Sequence, residues 1–297
     1  MTMPDGFGLL TTERATVETA WGHRPAALRV PPPLLDALNA VTIERLLEEE
    51  SLRPPHITFA RNGSQIPDRD VTVEDKEAAP SDAGQLDRAK ARALLADGAT
   101  AVVYRANRLI DSLGAVTAGV SSALRASCDA TVFHTPAHSP GLGWHRDAQH
   151  VIAVQITGSK QWRVEQEAPS RWWAVGSLPS DGPGTDVAEV TLRRGDALYM
   201  PPGVAHTARA TDESSTHVSF VILEPQTQDF ALALFERAFH RVGVRLEQGP
   251  LTQRLARATA VVDELAAAID ELDIGDLLRT VEEDTMDSGQ PPPRTSQ

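Results

Sequence analysis

The chain has a single cysteine, Cys128, in 297 residues. That excludes an intramolecular disulfide framework and any cysteine-rich zinc module. No stretch approaches the roughly 18 consecutive apolar residues of a membrane span. The opening Met-Thr-Met-Pro-Asp-Gly lacks the basic segment of a secretory signal. Basic residues are also in deficit: 28 Lys+Arg stand against 41 Asp+Glu, for a formal charge of −13. Phosphates attract basic surfaces, so this balance disfavours nucleic acid as the main partner. The absences together lead to the expectation of a cytoplasmic protein that meets neither membrane nor nucleic acid. Hydrophobic residues make up 41% of the chain, enough to bury a core and to exclude wholesale disorder. The length allows one large domain with an appendage, or two modest ones.

Residues 61–85 are polar and rich in Pro, Asp and Glu, and read as a surface loop. Before them, Thr42–Leu52 reads as a short acidic helix with Thr42 as N-cap. His56–Ala60 alternates like a strand and runs into Asn62-Gly63, a hairpin turn signal. Leu86–Leu95 reads as helix and Ala99–Tyr104 as an apolar strand. Leu109, Leu113, Val116, Val120 and Leu124 then recur at spacings of 4, 3, 4 and 4, one face of an amphipathic helix.

From Asp129 the period changes. Residues 130–135, 150–156, 161–164, 187–192, 197–200 and 217–222 are short strand candidates divided by Gly, Pro and Asp. Many short strands with regular turns predict a mainly β fold with flanking helices, a sandwich or jelly-roll barrel rather than a βαβ sheet. After Pro225 the helical period returns, with Phe230, Leu234, Ala238 and Val242 on one stripe. Leu251, Leu255, Ala258, Val262, Leu265, Ile269 and Leu272 follow at spacings of 4, 3, 4, 3, 4 and 3, an a/d seam opened by Pro250. Such a seam either packs back on its own domain or forms a dimer interface. The expected division is a β domain with N-terminal elaboration over 1–225, a helical region over 226–281 and a disordered tail over 282–297.

Six of the nine histidines fall within the β-rich stretch. Residues two apart on a strand share a face, so the His145-Arg-Asp147 sequence aims an imidazole and a carboxylate the same way. A third ligand is offered by His206, which follows a Gly-Asp turn, a strand and a Pro-Pro-Gly reversal. Two histidines and one carboxylate are the facial triad of non-haem Fe(II) oxygenases, leaving positions for a bidentate 2-oxo acid and dioxygen. Tetrahedral zinc accepts the same set. His134, His138, His150 and His217 read as satisfied core or surface histidines. Lys160 follows a Gly-Ser turn and opens a strand bearing Trp162. If it reaches back into the barrel, its buried ammonium needs an anionic partner.

The stretches Thr131-Val-Phe-His-Thr-Pro-Ala-His-Ser-Pro-Gly-Leu-Gly-Trp-His-Arg-Asp147, Val154-Gln-Ile-Thr-Gly-Ser-Lys-Gln-Trp-Arg163 and Gly195-Asp-Ala-Leu-Tyr-Met-Pro-Pro-Gly-Val-Ala-His206 resemble the JmjC/cupin-like ribosomal oxygenases. Trp21–Arg29 resembles that family's N-terminal segment, and the likeness runs over roughly residues 15–240. It implies a double-stranded β-helix core with a C-terminal helical dimerisation element. It implies Fe(II) held by His145, Asp147 and His206, with 2-oxoglutarate as cosubstrate. Lys160 is implied to bind the distal carboxylate of 2-oxoglutarate, with Thr135 as a nearby hydrogen-bond donor and Gln155 as an inward-facing glutamine. Phe133 departs from the pattern, since some members carry a tyrosine there that hydrogen-bonds the cosubstrate. The residues after Leu272 also depart, being too few for the winged helix of members that act on ribosomal proteins.

The expected activity is therefore an Fe(II)/2-oxoglutarate dioxygenase of the EC 1.14.11 type, hydroxylating an unactivated C–H on a protein or peptide side chain. Two alternatives stay open: a tailoring hydroxylase of an amino acid, small peptide or natural-product intermediate, and a non-catalytic cupin-like binding protein. The expected assembly is a homodimer through the C-terminal helices.

Overall fold

Strand alternation places one apolar side of each of two sheets face to face, and the proposed chemistry is carried between them. The computed structural model describes residues 6–73, 84–170, 173–179, 182–184, 186–242 and 250–288. In chain order its strands are β1 (Ala26–Arg29), β2 (Ile57–Arg61), β3 (Ser64–Gln65), β4 (Thr100–Val103), β5 (Ser127–Thr135), β6 (His145–Arg146) and β7 (His150–Thr157). They continue as β8 (Ser159–Glu165), β9 (Gly176–Ser177), β10 (Val187–Arg193), β11 (Asp196–Met200), β12 (Ala205–Ala210) and β13 (Ser215–Leu223). The helices are α1 (Arg14–Ala20), α2 (Pro32–Leu38), α3 (Ile43–Glu48), α4 (Arg88–Ala96), α5 (Asp111–Leu124), α6 (Thr227–Val242), α7 (Arg254–Asp270) and α8 (Ile274–Ser288).

The larger sheet runs β1-β11-β7-β13-β5-β4-β2-β3 and the smaller β10-β8-β12-β6-β9. The pairs β1–β11, β11–β7, β7–β13, β5–β4, β4–β2 and β2–β3 of the larger sheet, and the four pairs of the smaller, are antiparallel. The inner faces meet in a cluster of Val151, Ala153, Leu198 and Met200 from the larger sheet with Trp162, Val164 and Leu192 from the smaller. Each of the Val, Leu and Met side chains among them contributes about 1.5–3 kcal/mol by leaving water. Thr100–Val103 of β4 are buried throughout. Ser112 of α5 ties that helix to α2 by donating to the Ala37 carbonyl at 2.8 Å.

Local signals explain the helix starts. The Thr42 hydroxyl accepts the Arg45 N–H and caps α3. The Asp87 carboxylate accepts the N–H groups of Ala89 and Lys90 and caps α4. Asn62-Gly63 makes the β2–β3 hairpin, with φ of 51° and 79° respectively. Of the polar stretch read as a surface loop, residues 61–73 hold β3 and a 3₁₀ turn at Asp68–Asp70, and 74–83 lie outside the described residues.

Two compact units divide the chain, with the break at Leu223/Glu224; the second also takes in Arg125–Ser127. Within the second unit, α6 turns Ala238 inward and α8 turns Leu277 and Val281 inward. Arg237 pairs with Asp276 at 3.2 Å and Arg241 with Glu271 at 3.5 Å. The expected tail is corrected at its start: helix α8 continues through Ser288, because Leu277, Val281 and Thr285 recur every four residues and are buried. Residues 289–297 lie outside the described residues. The a/d seam divides: Leu265, Ile269 and Leu272 are partly covered, whereas Leu255 and Val262 are 80% and 63% exposed. No helix among the described residues is long and apolar enough to cross a membrane.

Candidate active site

Strand β6 is only two residues long, and β12 is its antiparallel neighbour, with His145 directly opposite His206. Directly opposed residues share a face, so both imidazoles project the same way, their ring centroids 4.2 Å apart. Asp147, two residues beyond His145, projects to that face as well. Its Oδ1 lies 4.0 Å from His145 Nε2 and its Oδ2 3.6 Å from His206 Nε2. One donor atom from each of the three lies within 4.8 Å of the others.

Both histidines are oriented from behind. His145 Nδ1 donates to the Gly143 carbonyl at 2.8 Å and His206 Nδ1 to the Val204 carbonyl at 3.0 Å. A ring nitrogen facing a carbonyl must carry a proton, which leaves Nε2 of each ring as the atom turned toward Asp147. Burial, and then the neighbouring His145, lower the pKa of His206 and keep its ring neutral. Two imidazole nitrogens and a carboxylate suit a divalent first-row metal. His206 is buried while His145 and Asp147 are partly open, so one side of the cluster is accessible. Tyr104, just past β4, is near enough for Asp147 to act on it: burial and then that charge raise the phenol pKa, against a Thr58 hydrogen bond that lowers it.

Lys160, Trp162 and Val164 point inward from β8, opposite Ala210, Ala208 and His206 of β12. The two small alanines leave room over the long side chains. The Lys160 ammonium is fully enclosed, donating to Thr135 Oγ1 at 2.9 Å and to His217 Nδ1 at 3.4 Å. Burial lowers its pKa from 10.5 to about 7. Among the described residues no carboxylate pairs with it. A buried cation is costly unless an anion stands beside it. Gly141 closes one wall: a Cβ there would sit 2.9 Å from the Ala208 carbonyl and 3.6 Å from Lys160 Nζ. The Trp162 ring links the two regions, 6.0 Å from the His206 ring and 5.2 Å from that of His217.

The structure therefore brings His145, Asp147 and His206 into one cluster, and Lys160 and Thr135 into another. Gln155 faces inward but stays out of both, since its Nε2 donates to the Thr157 carbonyl at 2.7 Å and to Ser215 Oγ at 2.8 Å. Among the described residues its buried Oε1 has no hydrogen-bond partner. Phe133 stacks on His217 at 4.6 Å with an interplanar angle of 3°. His217, expected as an ordinary core or surface histidine, belongs beside Lys160. It stands opposite Gln155 across a bulged β13–β7 register, a relation that sequence spacing does not encode. His150 is a satisfied core histidine, stacked on Trp21 and hydrogen-bonded to the Tyr199 hydroxyl at 2.9 Å. His134 is held by Thr216 at 2.9 Å, and His138 is exposed.

Residues 109–230 match the JmjC domain family. Among curated proteins the chain is similar to ribosomal oxygenase 2 of Bos taurus, 29% identical over 171 residues, which cover 55% of this chain and 37% of that protein. The chain thus spans little more than a third of that relative's length. Among solved structures it is similar to Escherichia coli ycfD, with a TM-score of 0.58 and 16% identity over 89% of this chain and 70% of that one. It is also similar to the E. coli ribosomal oxygenase YcfD in complex with cobalt and 2-oxoglutarate, with a TM-score of 0.55 and 16% identity over 89% and 69%. At that identity the likeness concerns the fold. The β core is a JmjC/cupin double-stranded β-helix, as its strand order indicates.

Proposed function

We propose that this chain, whose residues 109–230 form a JmjC domain similar to that of the ribosomal oxygenases, is an Fe(II)- and 2-oxoglutarate-dependent dioxygenase that hydroxylates a protein side chain. The observation that carries the reading is the pairing of two clusters in one β core, both beside Trp162: His145, Asp147 and His206, and a buried Lys160 that has no counter-ion among the described residues. In this reading the three donors hold iron, and Lys160 with Thr135 receives the distal carboxylate of 2-oxoglutarate. The pair supplies, when bound, the coupling of oxidative decarboxylation to hydroxylation of a C–H bond.

The chain's own contribution is placement. Gly143 and Val204 carbonyls fix the two imidazoles by their Nδ1 protons. Trp162, Phe133 and the β12 alanines exclude water from the pocket around Lys160. The partly exposed Asp147 side leaves an approach for a polypeptide side chain. A role in the cytoplasm agrees with the lone, buried thiol of Cys128. The exposed apolar residues Leu255 and Val262 on α7 support a homodimer built through the helical unit.

The test is 2-oxoglutarate turnover with Fe(II), screened against ribosomal proteins and other basic polypeptides, with mass spectrometry for addition of one oxygen atom. His145→Ala or His206→Ala is expected to abolish succinate formation. Normal turnover in either variant refutes the assignment.

A further inference from the structure

Arg146 stands between two of the three clustered residues in sequence, and strand alternation sends its side chain to the opposite face of β6. There it meets Glu165, the last residue of β8, in a two-pronged pair: Nη1 donates to Oε2, and Nη2 donates to Oε1 at 3.0 Å. The same Nη1 donates to the Gly203 carbonyl. Glu165 Oε2 also accepts the Ala205 N–H at 2.8 Å. The Gly203 N–H in turn donates to the Asp147 carbonyl at 2.8 Å, from a residue at φ +81°, a conformation that suits glycine. Glu165 is buried and Arg146 is largely covered, their side chains 8% and 12% exposed.

These bonds join the segment carrying His145 and Asp147 to the turn that delivers His206. β6 offers only two residues of ladder to each neighbour, β12 and β9, too few to fix its position on backbone bonds alone. A desolvated fork between guanidinium and carboxylate is directional and stiff. We infer that Arg146 and Glu165 are positioning residues that set His145 and Asp147 at the right separation from His206, acting through the peptides of Gly203 and Ala205. The inference rests on the metal reading proposed above. It explains why an ion pair, costly to bury, lies directly behind the cluster where apolar residues would pack as well.

The test uses the full chain without metal, titrated with Co(II), with the visible cobalt spectrum as a readout of coordination geometry. Glu165→Gln keeps the size and an acceptor for Ala205, and Arg146→Lys keeps the charge; each removes the fork. Both are expected to weaken Co(II) binding by about ten-fold or more and to change the cobalt spectrum, with Arg146→Met weaker still. If the pair merely braces the fold, the variants will melt earlier yet bind cobalt with wild-type affinity and an unchanged spectrum, and the inference falls. Should Arg146→Met fail to fold, the two conservative variants decide. A wild-type chain that binds no cobalt would sink the metal reading itself, whereas unchanged variants of a cobalt-binding wild type sink only the positioning role.

Discussion

Lys160 Nζ and His217 Nδ1 face each other at 3.4 Å, with the His217 ring held flat against Phe133. Burial, and then the charge of Lys160, hold the His217 pKa well below its ordinary value, so the imidazole is neutral. An ammonium has only protons to offer, so Nδ1 must be the acceptor and the His217 proton must sit on Nε2. Thr135 takes a second ammonium proton. Two of the three N–H bonds are thereby aimed at fixed partners, and among the described residues the third has none. Phe133 contributes here without a hydroxyl, by holding the ring that orients Lys160.

The lowered Lys160 pKa predicts a definite pH response. Unfolded, the amine titrates near 10.5; folded without an anion, near 7. Between those values the unfolded chain binds more protons, so stability rises with pH across that window and the burial penalty is complete below it. An anionic cosubstrate reverses the balance by favouring the ammonium. Binding of 2-oxoglutarate at pH 8–9 is expected to take up a proton, and its apparent affinity to fall as pH rises above about 7. Calorimetry in buffers of different ionisation enthalpy measures the uptake. His217 is neutral throughout and does not compete. Zero proton uptake at pH 8.5 would contradict the assignment of Lys160 to the anion.

Lys160→Met tests the same contact by removal. Losing a charge-assisted hydrogen bond costs about 1.5–3 kcal/mol, or about ten- to a hundred-fold in KM for 2-oxoglutarate. The variant should fold at least as well as the parent, since it trades a penalised buried cation for an apolar chain of similar length. A raised KM with an undiminished melting temperature is the expected pair of results. Unchanged KM would separate Lys160 from the cosubstrate.

Gly141→Ala probes the pocket wall without touching a charge. The added Cβ meets the Ala208 carbonyl at 2.9 Å, a backbone atom with little freedom to retreat, and comes into contact with Lys160 Nζ at 3.6 Å. Overpacking of this kind costs about 1–3 kcal/mol. The variant is expected to melt a few degrees lower and to bind 2-oxoglutarate more weakly. Wild-type values for both would show that the loop carrying Gly141 yields freely.

Periodicity revealed most of the elements that build the site, and pairing revealed what periodicity could not. The strand over 130–135, the strand over 150–156 and the helix ending at Leu124 were all legible, because each carries its own apolar rhythm. His145 and Asp147 were legible as a pair from strand parity, although their strand is only two residues long. The role of His217 was hidden, because it depends on a bulged register between strands far apart in the chain. Glu165 was hidden for the same reason: nothing local links the end of β8 to Arg146. Gln155 illustrates the converse. Its inward parity was legible, but its amide satisfies the neighbouring Thr157 and Ser215 instead of the Lys160 pocket. The start of the C-terminal segment read as polar, yet three buried positions at helical spacing extend α8 to Ser288.

The helical unit gives the last prediction. On α7, Leu255 and Val262 lie seven residues apart, so they fall on one side of the helix, and they are 80% and 63% exposed. On α6 of the same unit, Leu232 and Phe235 are 63% and 53% exposed. Isolated exposed apolar residues are ordinary, but several on two contacting helices of one small unit are apolar area that gains by being covered. The heptad spacing around Leu255 and Val262 suits a matching helix from a second copy. Light scattering at micromolar concentration should therefore report a dimer for the wild type. Leu255→Glu combined with Val262→Glu should give a monomer that keeps its helical content, because neither residue is in the buried interior of its unit. Turnover of free 2-oxoglutarate should survive the change, since the clusters around His206 and Lys160 belong to the β core. A wild type that scatters as a monomer, or a double variant that stays dimeric, would place the subunit contact elsewhere.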